Sequence, residues 1–229
     1  MKISVIIPVF NEADQIAERI QFVWLNGGSK VAEVIVVDGL STDETVSIAA
    51  QAGAKVLISQ QRSRAAQMNM GAREAIGTVL YFVHADVKLV GSFVEDIEQA
   101  LKHSDAGCYR YVFESNRFIL KINAWFTRFD RIMCRGGDQT LYVRKEVFDQ
   151  LNGFDEYYSI MEDYDFILRL RKRFRFYIIP KNVRVSARKY DTNSWLQVQR
   201  ANFTVFMMFF QKGPPDEMKA RYRQLLNYR

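Results

Sequence analysis

The run Ile3 to Phe10 constrains the fold most, because it is almost unbroken in apolar and β-branched residues yet too short for a core helix. Such a run fits a strand buried on both faces, the environment of a parallel sheet. Val34 to Val37 repeats the pattern about one helix later. Between them Ile16, Ile20, Val23 and Trp24 recur at helical spacing, and Gly27-Gly28 supplies a stop. The alternation continues with a helix from Asp43 to Ala52, a strand Lys55 to Ile58, a helix from Arg64 to Ile76 and a strand Val79 to Val83. Strands alternating with helices predict a doubly wound, Rossmann-like α/β fold, its central sheet mostly parallel and flanked by helices. Beyond Gly91 the pattern predicts a helix to Leu101, a strand around Cys108 to Phe113, an aromatic-rich helix from Arg117 to Ile132 and a strand Thr140 to Val143. A helix opening at Met161 or Glu162, a strand Phe176 to Ile179 and closing helices from Ser194 complete the reading.

With 229 residues, 48% of them hydrophobic, and no Pro/Ser/Gly-rich tract or internal repeat, the chain is expected to form one domain over 1–229. Two cysteines, Cys108 and Cys134, are too few for a disulfide framework, and no leader-like segment precedes the first strand, so a cytoplasmic setting is expected. The longest apolar run, Phe203 to Phe210, falls far short of the roughly 20 residues that span a bilayer. A net charge of +6 suits polyanionic partners as a class, whether nucleic acid, anionic lipid or a phosphorylated substrate. Five basic residues between Arg169 and Arg175 fit a solvated helix face or a membrane or phosphate contact.

Ligands of open parallel sheets bind beyond the carboxyl ends of the strands, so the polar residues there are informative. The first strand leads into Asn11-Glu12, the second into Asp38-Gly39-Leu40-Ser41-Thr42-Asp43, and the strand at Val79 into His84-Ala85-Asp86. No glycine cradle and no P-loop lysine follows the first strand, so a diphosphate here needs a metal and arginine to offset its charge. Asp86 and Arg64 are the candidates. Asn11, Glu12, Ser41 and Asp43 have an alternative reading as helix caps, and Asp38 as a turn former.

As an ordered set, Val5-Ile6-Ile7-Pro8-Val9-Phe10-Asn11-Glu12, Val36-Val37-Asp38-Gly39-Leu40-Ser41-Thr42-Asp43 and His84-Ala85-Asp86 resemble the family 2 glycosyltransferases, and the likeness extends from Lys2 to Arg188. The resemblance implies a GT-A fold, with residues 1–115 as a nucleotide-sugar-binding half, 116–190 as an acceptor and catalytic half and 191–229 as C-terminal helices. It implies that Pro8, Phe10, Asn11 and Glu12 line the nucleotide pocket, that Asp38 meets the base and that Asp86 takes a divalent metal, Mn²⁺ or Mg²⁺. The first position of the family's D-x-D motif is His84 here, with Ala85 at its centre. A neutral imidazole can bind Mn²⁺ or hydrogen-bond the nucleotide but brings no negative charge. The segment Arg64 to Ala72 resembles the family's helix between strands three and four, which brings Arg64 to the nucleotide and leaves Asn69 and Gly71 to packing.

Glu162-Asp163-Tyr164-Asp165 opens a helix, where the macrodipole favours carboxylates. By resemblance, Gly153-Phe154-Asp155-Glu156 followed by Glu162-Asp163 makes Asp163 the general base, and displacement at an anomeric carbon needs one to take the acceptor proton. Glu162 is then an orienting group and Asp165 structural. Gly136-Gly137-Asp138-Gln139 reads as a turn, and by resemblance Gly137, Asp138 and Gln139 lie on the acceptor side; Arg188 is a candidate for the diphosphate. Compact length, His-Ala-Asp and Gly-Asp-Gln together match a small bacterial subgroup.

The expected activity is inverting transfer of a sugar from a UDP- or GDP-linked donor to a hydroxyl acceptor, lipid-linked as one option, with no nucleic-acid partner. A buried core helix is the default for Phe203 to Phe210, and a peripheral membrane contact at the inner face of the cell membrane or an oligomer contact is the alternative. The rivals are a nucleotidyltransferase, whose Gly-rich loop is missing, and a catalytically silent nucleotide-sugar-binding or membrane-associated module.

Overall fold

In the computed structural model, which describes residues 1–226, β1 (Ile3–Val9) is an interior strand of an eight-stranded sheet. The first half of the chain supplies β2 (Val31–Asp38), β3 (Lys55–Ile58) and β4 (Val79–Phe82), joined by α1 (Ala13–Gly27), α2 (Thr45–Gln51) and α3 (Arg64–Glu74). The second half supplies β5 (Val87–Lys88), β6 (Ala106–Phe113), β7 (Leu141–Arg144) and β8 (Phe176–Val185). Its helices are α4 (Phe93–Ala100), α5 (Phe118–Trp125), α6 (Lys145–Gln150), α7 (Glu162–Arg171), α8 (Lys189–Thr192), α9 (Trp195–Phe210) and α10 (Pro215–Leu225). The strand order is β3-β2-β1-β4-β7-β6-β8-β5; β3, β2, β1 and β4 run parallel, whereas β7 is antiparallel to both β4 and β6.

Both faces of the parallel half are covered, as the unbroken apolar runs require. Ile3, Val5, Ile7 and Val9 of β1 join Val34 and Val36 of β2 in one core with Ile16, Ile20 and Val23 of α1. Ile6, Ile35 and Val37 face the opposite core, which α3, α6 and α7 complete with Met68, Phe148 and Phe166. Alternation with period two thus sorts each strand between two cores. The helix α3 lies so close to the sheet that a Cβ at Gly71 would stand 2.6 Å from Ile6 Cγ2.

Two sequence-based boundaries shift, and two short elements go unannounced. The aromatic helix expected to Ile132 ends at Trp125 and gives way to single turns at Phe126–Arg128 and Ile132–Cys134. The guanidinium of Arg135 donates to the carbonyls of Thr127 and Phe129, both at 2.7 Å, and these carbonyls are then not held in a helical ladder. The strand expected to end at Ile179 runs on to Val185, because Pro180 and Lys181 loop out as a bulge and pairing with β6 resumes at Asn182. The short β5 and α6 lie in stretches without enough periodicity to announce them.

The C-terminal helices are half-buried rather than fully core. Val198, Ala201, Val205 and Phe209 form the inner stripe of α9, and Leu196, Phe203, Met207 and Phe210 reach solvent. Val205 and Phe209 pack with Met218 of α10 and with Met161, the residue that opens α7. No helix among the described residues is long and apolar enough to cross a membrane.

Candidate active site

The carboxyl ends of β1, β2 and β4 converge on one crevice, and hydrogen bonds fix their loops. Gln67 of α3, buried, donates from Nε2 to the carbonyls of Val9 at 2.9 Å and Val37 at 2.7 Å, clamping the ends of β1 and β2 together. Asn11 adopts a left-handed φ of 53°, and its Oδ1 accepts from the Thr42 amide while Ser41 Oγ accepts from the Asn11 amide. Asp43 accepts from the amides of Ala13 and Thr45. The side chains of Asn11, Ser41 and Asp43 therefore tie two loops to each other. Pro8 is buried inside β1 in register with Val37.

Asp38 ends β2 and is buried, with Oδ2 accepting from the Ser41 amide at 2.9 Å. Its Oδ1 is buried with no hydrogen-bond partner among the described residues. An unsatisfied buried carboxylate oxygen is costly, and a ligand N–H beyond the strand end would satisfy it. Nearby, the Phe10 ring is covered by the guanidinium of Arg62 at 3.1 Å from the ring centroid. Arg62 is absent from the sequence-based candidates, because an arginine in the polar stretch before α3 looks like any loop cation.

Charged groups gather where β4 gives way to β5. His84, Ala85 and Asp86 follow β4, and Val87 pairs with Val185 at the end of β8, which brings Arg188 across the crevice. Its Nη2 stands 3.1 Å from Glu12 Oε1 and 3.7 Å from Asp86 Oδ2. Burial raises the Glu12 carboxyl above the ordinary range, against the pull of Arg188. Burial, then the charge of Arg64, pushes the His84 imidazole down to about 4, so it is neutral at pH 7 with a lone pair to give.

The antiparallel pairing of β7 with β4, Leu141 opposite Phe82, carries Asp138 to the His84 side of the crevice. The turn Gly137–Gln139 places Asp138 Oδ2 3.6 Å from Lys189 Nζ. Burial works against the Asp138 carboxylate, yet Lys189, His84 and Arg64 together hold it below the ordinary range. Gln139 is buried, and neither its Oε1 nor its Nε2 has a partner among the described residues. Lys189, adjacent to the Arg188 that the sequence did flag, is a second cation that tertiary pairing alone reveals.

The helix α7 delivers Glu162 and Asp163 from its first turn, entered through Met161 at a left-handed φ of 73°. Asn69 of α3 anchors the approach to α7: its Oδ1 accepts from the Phe154 amide, and its Nδ2 donates to the Phe154 carbonyl and to Glu156, each at 2.9 Å. Asn69 is thus a tether as well as a packing residue. Burial, followed by the neighbouring Glu162, raises the Asp163 carboxyl to about 7, and burial raises Glu162 as well. Asp165 pairs with Arg169 one turn on, at 2.7 Å, in a structural role. Arg64 at the start of α3 unites the halves, its charge reaching Glu12, His84, Asp138, Glu162 and Asp163.

For a divalent cation, Asp86 and His84 offer one carboxylate and one neutral imidazole, and the described residues contain no cluster of three or more His, Cys, Asp or Glu suited to a metal. Such a donor pair fits an ion that takes its remaining ligands from a bound diphosphate and water, not a closed protein cage.

Residues 4–154 match the family described as Glycosyl transferase family 2. Over 97 residues the chain is 37% identical to an uncharacterized glycosyltransferase of Rickettsia felis, covering 42% of this chain and 33% of that protein. The fold is similar to that of S. aureus TarS 1-349, with a TM-score of 0.68 at 20% identity, over 88% of this chain and 64% of that one. It is also similar to the mannosyltransferase PcManGT from Pyrobaculum calidifontis in complex with GDP-Man and Mn²⁺, with a TM-score of 0.65 at 18% identity, over 97% and 68% of the two chains. The chain therefore spans about a third of its curated relative and less than two thirds of the TarS fragment.

Proposed function

The chain belongs to glycosyl transferase family 2 and has a GT-A fold, and on that premise we propose that it is an inverting transferase moving a sugar from a UDP- or GDP-linked donor to a hydroxyl acceptor. The observation that carries this reading is Asp163, a half-buried carboxyl raised to about 7 by desolvation and by Glu162, within reach of the same Arg64 charge that acts on Glu12 and His84. A group titrating near neutrality can accept a proton and is basic enough to assist an attacking hydroxyl.

In this scheme the base of the donor meets Asp38, whose free Oδ1 takes an N–H, beside Phe10 and Arg62. Asp86 and His84 hold Mn²⁺ or Mg²⁺, which when bound neutralises charge on the diphosphate. The acceptor oxygen forms a bond to the anomeric carbon as the bond from that carbon to the diphosphate oxygen breaks, and the hydroxyl proton passes to Asp163. Attack from the face opposite the leaving group inverts the anomeric centre. Arg64 and Arg188 stabilise the negative charge that develops on the departing nucleoside diphosphate. Glu162, Asp138 and Gln139 orient hydroxyls on the acceptor side; the unpartnered amide of Gln139 supports that role.

The test is release of nucleoside diphosphate from a panel of UDP- and GDP-sugars with Mn²⁺ or Mg²⁺, parent against Asp163→Asn. Turnover should fall by roughly 10²–10⁴-fold in the variant. Transfer that Asp163→Asn leaves untouched removes Asp163 from the base role, and no turnover with any donor sinks the reading as a whole.

A further inference from the structure

We infer that the outer surface of α5 and the turns after it docks on an anionic membrane. Large apolar side chains crowd this stretch with no covering element among the described residues: Phe118 is 75% exposed and Met133 65%, with Ile122, Trp125, Phe126 and Phe129 between them also exposed. The rings of Trp125, Phe126 and Phe129 touch one another, with centroids 4.8–6.1 Å apart, and form one platform. The inward side of α5 is apolar too, through buried Leu120 and Ala124, so this helix presents apolar surface to the core and to the outside alike. A contiguous patch of this kind marks an interaction site.

Charge identifies the occupant. Arg117, Lys121, Arg128 and Arg131 are interspersed with the apolar residues, and Lys121, Arg128 and Arg131 pair with no carboxylate among the described residues. The one carboxylate of the stretch, Asp130, is taken by Arg171. The Arg128 guanidinium lies 4.6 Å over the Trp125 ring, and a groove of about 280 Å³ alongside is lined by Arg110, Lys121, Arg128 and Trp125. Arg110 adds a buried Nε with no hydrogen-bond partner among the described residues.

Aromatic rings that sit at headgroup depth, ringed by cations that meet lipid phosphates, are what the boundary of an anionic bilayer selects. A second copy of the chain suits the patch poorly, because a two-fold contact would press these cations against their own counterparts. Within the basic run Arg169 to Arg175, Arg169 is held by Asp165 and the carbonyls of Leu151 and Gly153, and Arg171 by Asp130 of the docking stretch. The docking stretch leads through Arg135, whose carbonyl accepts from Tyr164 Oη at 2.5 Å, into the turn that carries Asp138. Docking goes beyond the proposed chemistry and does not depend on it.

Cosedimentation of the full chain with vesicles of phosphatidylcholine plus phosphatidylglycerol, and of phosphatidylcholine alone, tests this. Binding should require the anionic lipid and weaken with salt. Lys121→Glu combined with Arg128→Glu, and separately Trp125→Ala combined with Phe126→Ala, should each lower partitioning at least about tenfold, with thermal melting and nucleoside diphosphate binding unchanged. Three results would overturn the inference: no partitioning into anionic vesicles at low salt, partitioning unchanged in both variants, or a solution dimer that the Trp125/Phe126 variant dissociates.

Discussion

The carboxyl of Asp163 is where local structure turns into chemistry. Raised to about 7 by burial and by Glu162, it is protonated in acid and ionises as pH rises, and in the proposed scheme only the ionised form takes the acceptor proton. The rate should therefore climb through about pH 7, a limb that a kcat/KM profile will show and that Asp163→Asn should lack. Stability moves the other way. The folded value lies above the unfolded one, so the protein binds the extra proton when folded, and the favourable contribution present below about pH 4 is lost as pH rises through 7. Asp163→Asn should accordingly melt higher than the parent at pH 8, by on the order of 1–3 kcal/mol in denaturant titrations, with little difference at pH 4. His84 makes a second prediction at this scale. Held neutral by burial, it would bring no charge to a metal bound at the proposed site. His84→Asp restores the second carboxylate and should tighten Mn²⁺ binding about tenfold or more in the presence of nucleoside diphosphate, as calorimetry would register; unchanged affinity would place the ion elsewhere.

Among the elements, α3 does the most to assemble the site. From one helix Arg64 reaches both halves of the crevice, Gln67 clamps β1 to β2, and Asn69 holds the segment that leads to α7. Asn69→Ala should cost about 2–4 kcal/mol, since it strands the Phe154 amide and carbonyl in the interior, and thermal unfolding would show it. Turnover should fall further than stability alone explains, because α7 loses the anchor that sets Asp163. Most of these elements are legible in the sequence: β3 matches its expected range Lys55–Ile58, and α1, α3 and α7 begin within a few residues of where periodicity and stop signals put them. The aromatic helix is not, because its end depends on Arg135 reaching back to two carbonyls, a contact that periodicity does not encode.

Across the whole molecule, the C-terminal helices brace the start of α7. Phe209 packs against Tyr158 and Tyr164 at centroid distances of 5.4 and 6.4 Å, so the two C-terminal helices support α7 from behind. Phe209→Ala should destabilise by about 3 kcal/mol and lower turnover without changing nucleoside diphosphate affinity, because the proposed nucleotide contacts lie away from it at the ends of β1, β2 and β4. A variant that melts like the parent would show this brace to be dispensable. What the sequence determined by itself is the alternating architecture and the identity of the strand-end groups: Asp38, Asp86, Arg64 and the Glu162-Asp163 pair sit at element boundaries that short-range pattern marks. Only the tertiary structure decided which charges face one another. The Arg188 bridge to Glu12 and Asp86, the Lys189–Asp138 pair and the cover of Arg62 over Phe10 join residues that lie far apart along the chain, except in the β-ladders that bring them together. The proton affinity of Asp163 was hidden for the same reason: burial, not residue type, sets it, and burial is a property of the assembled fold.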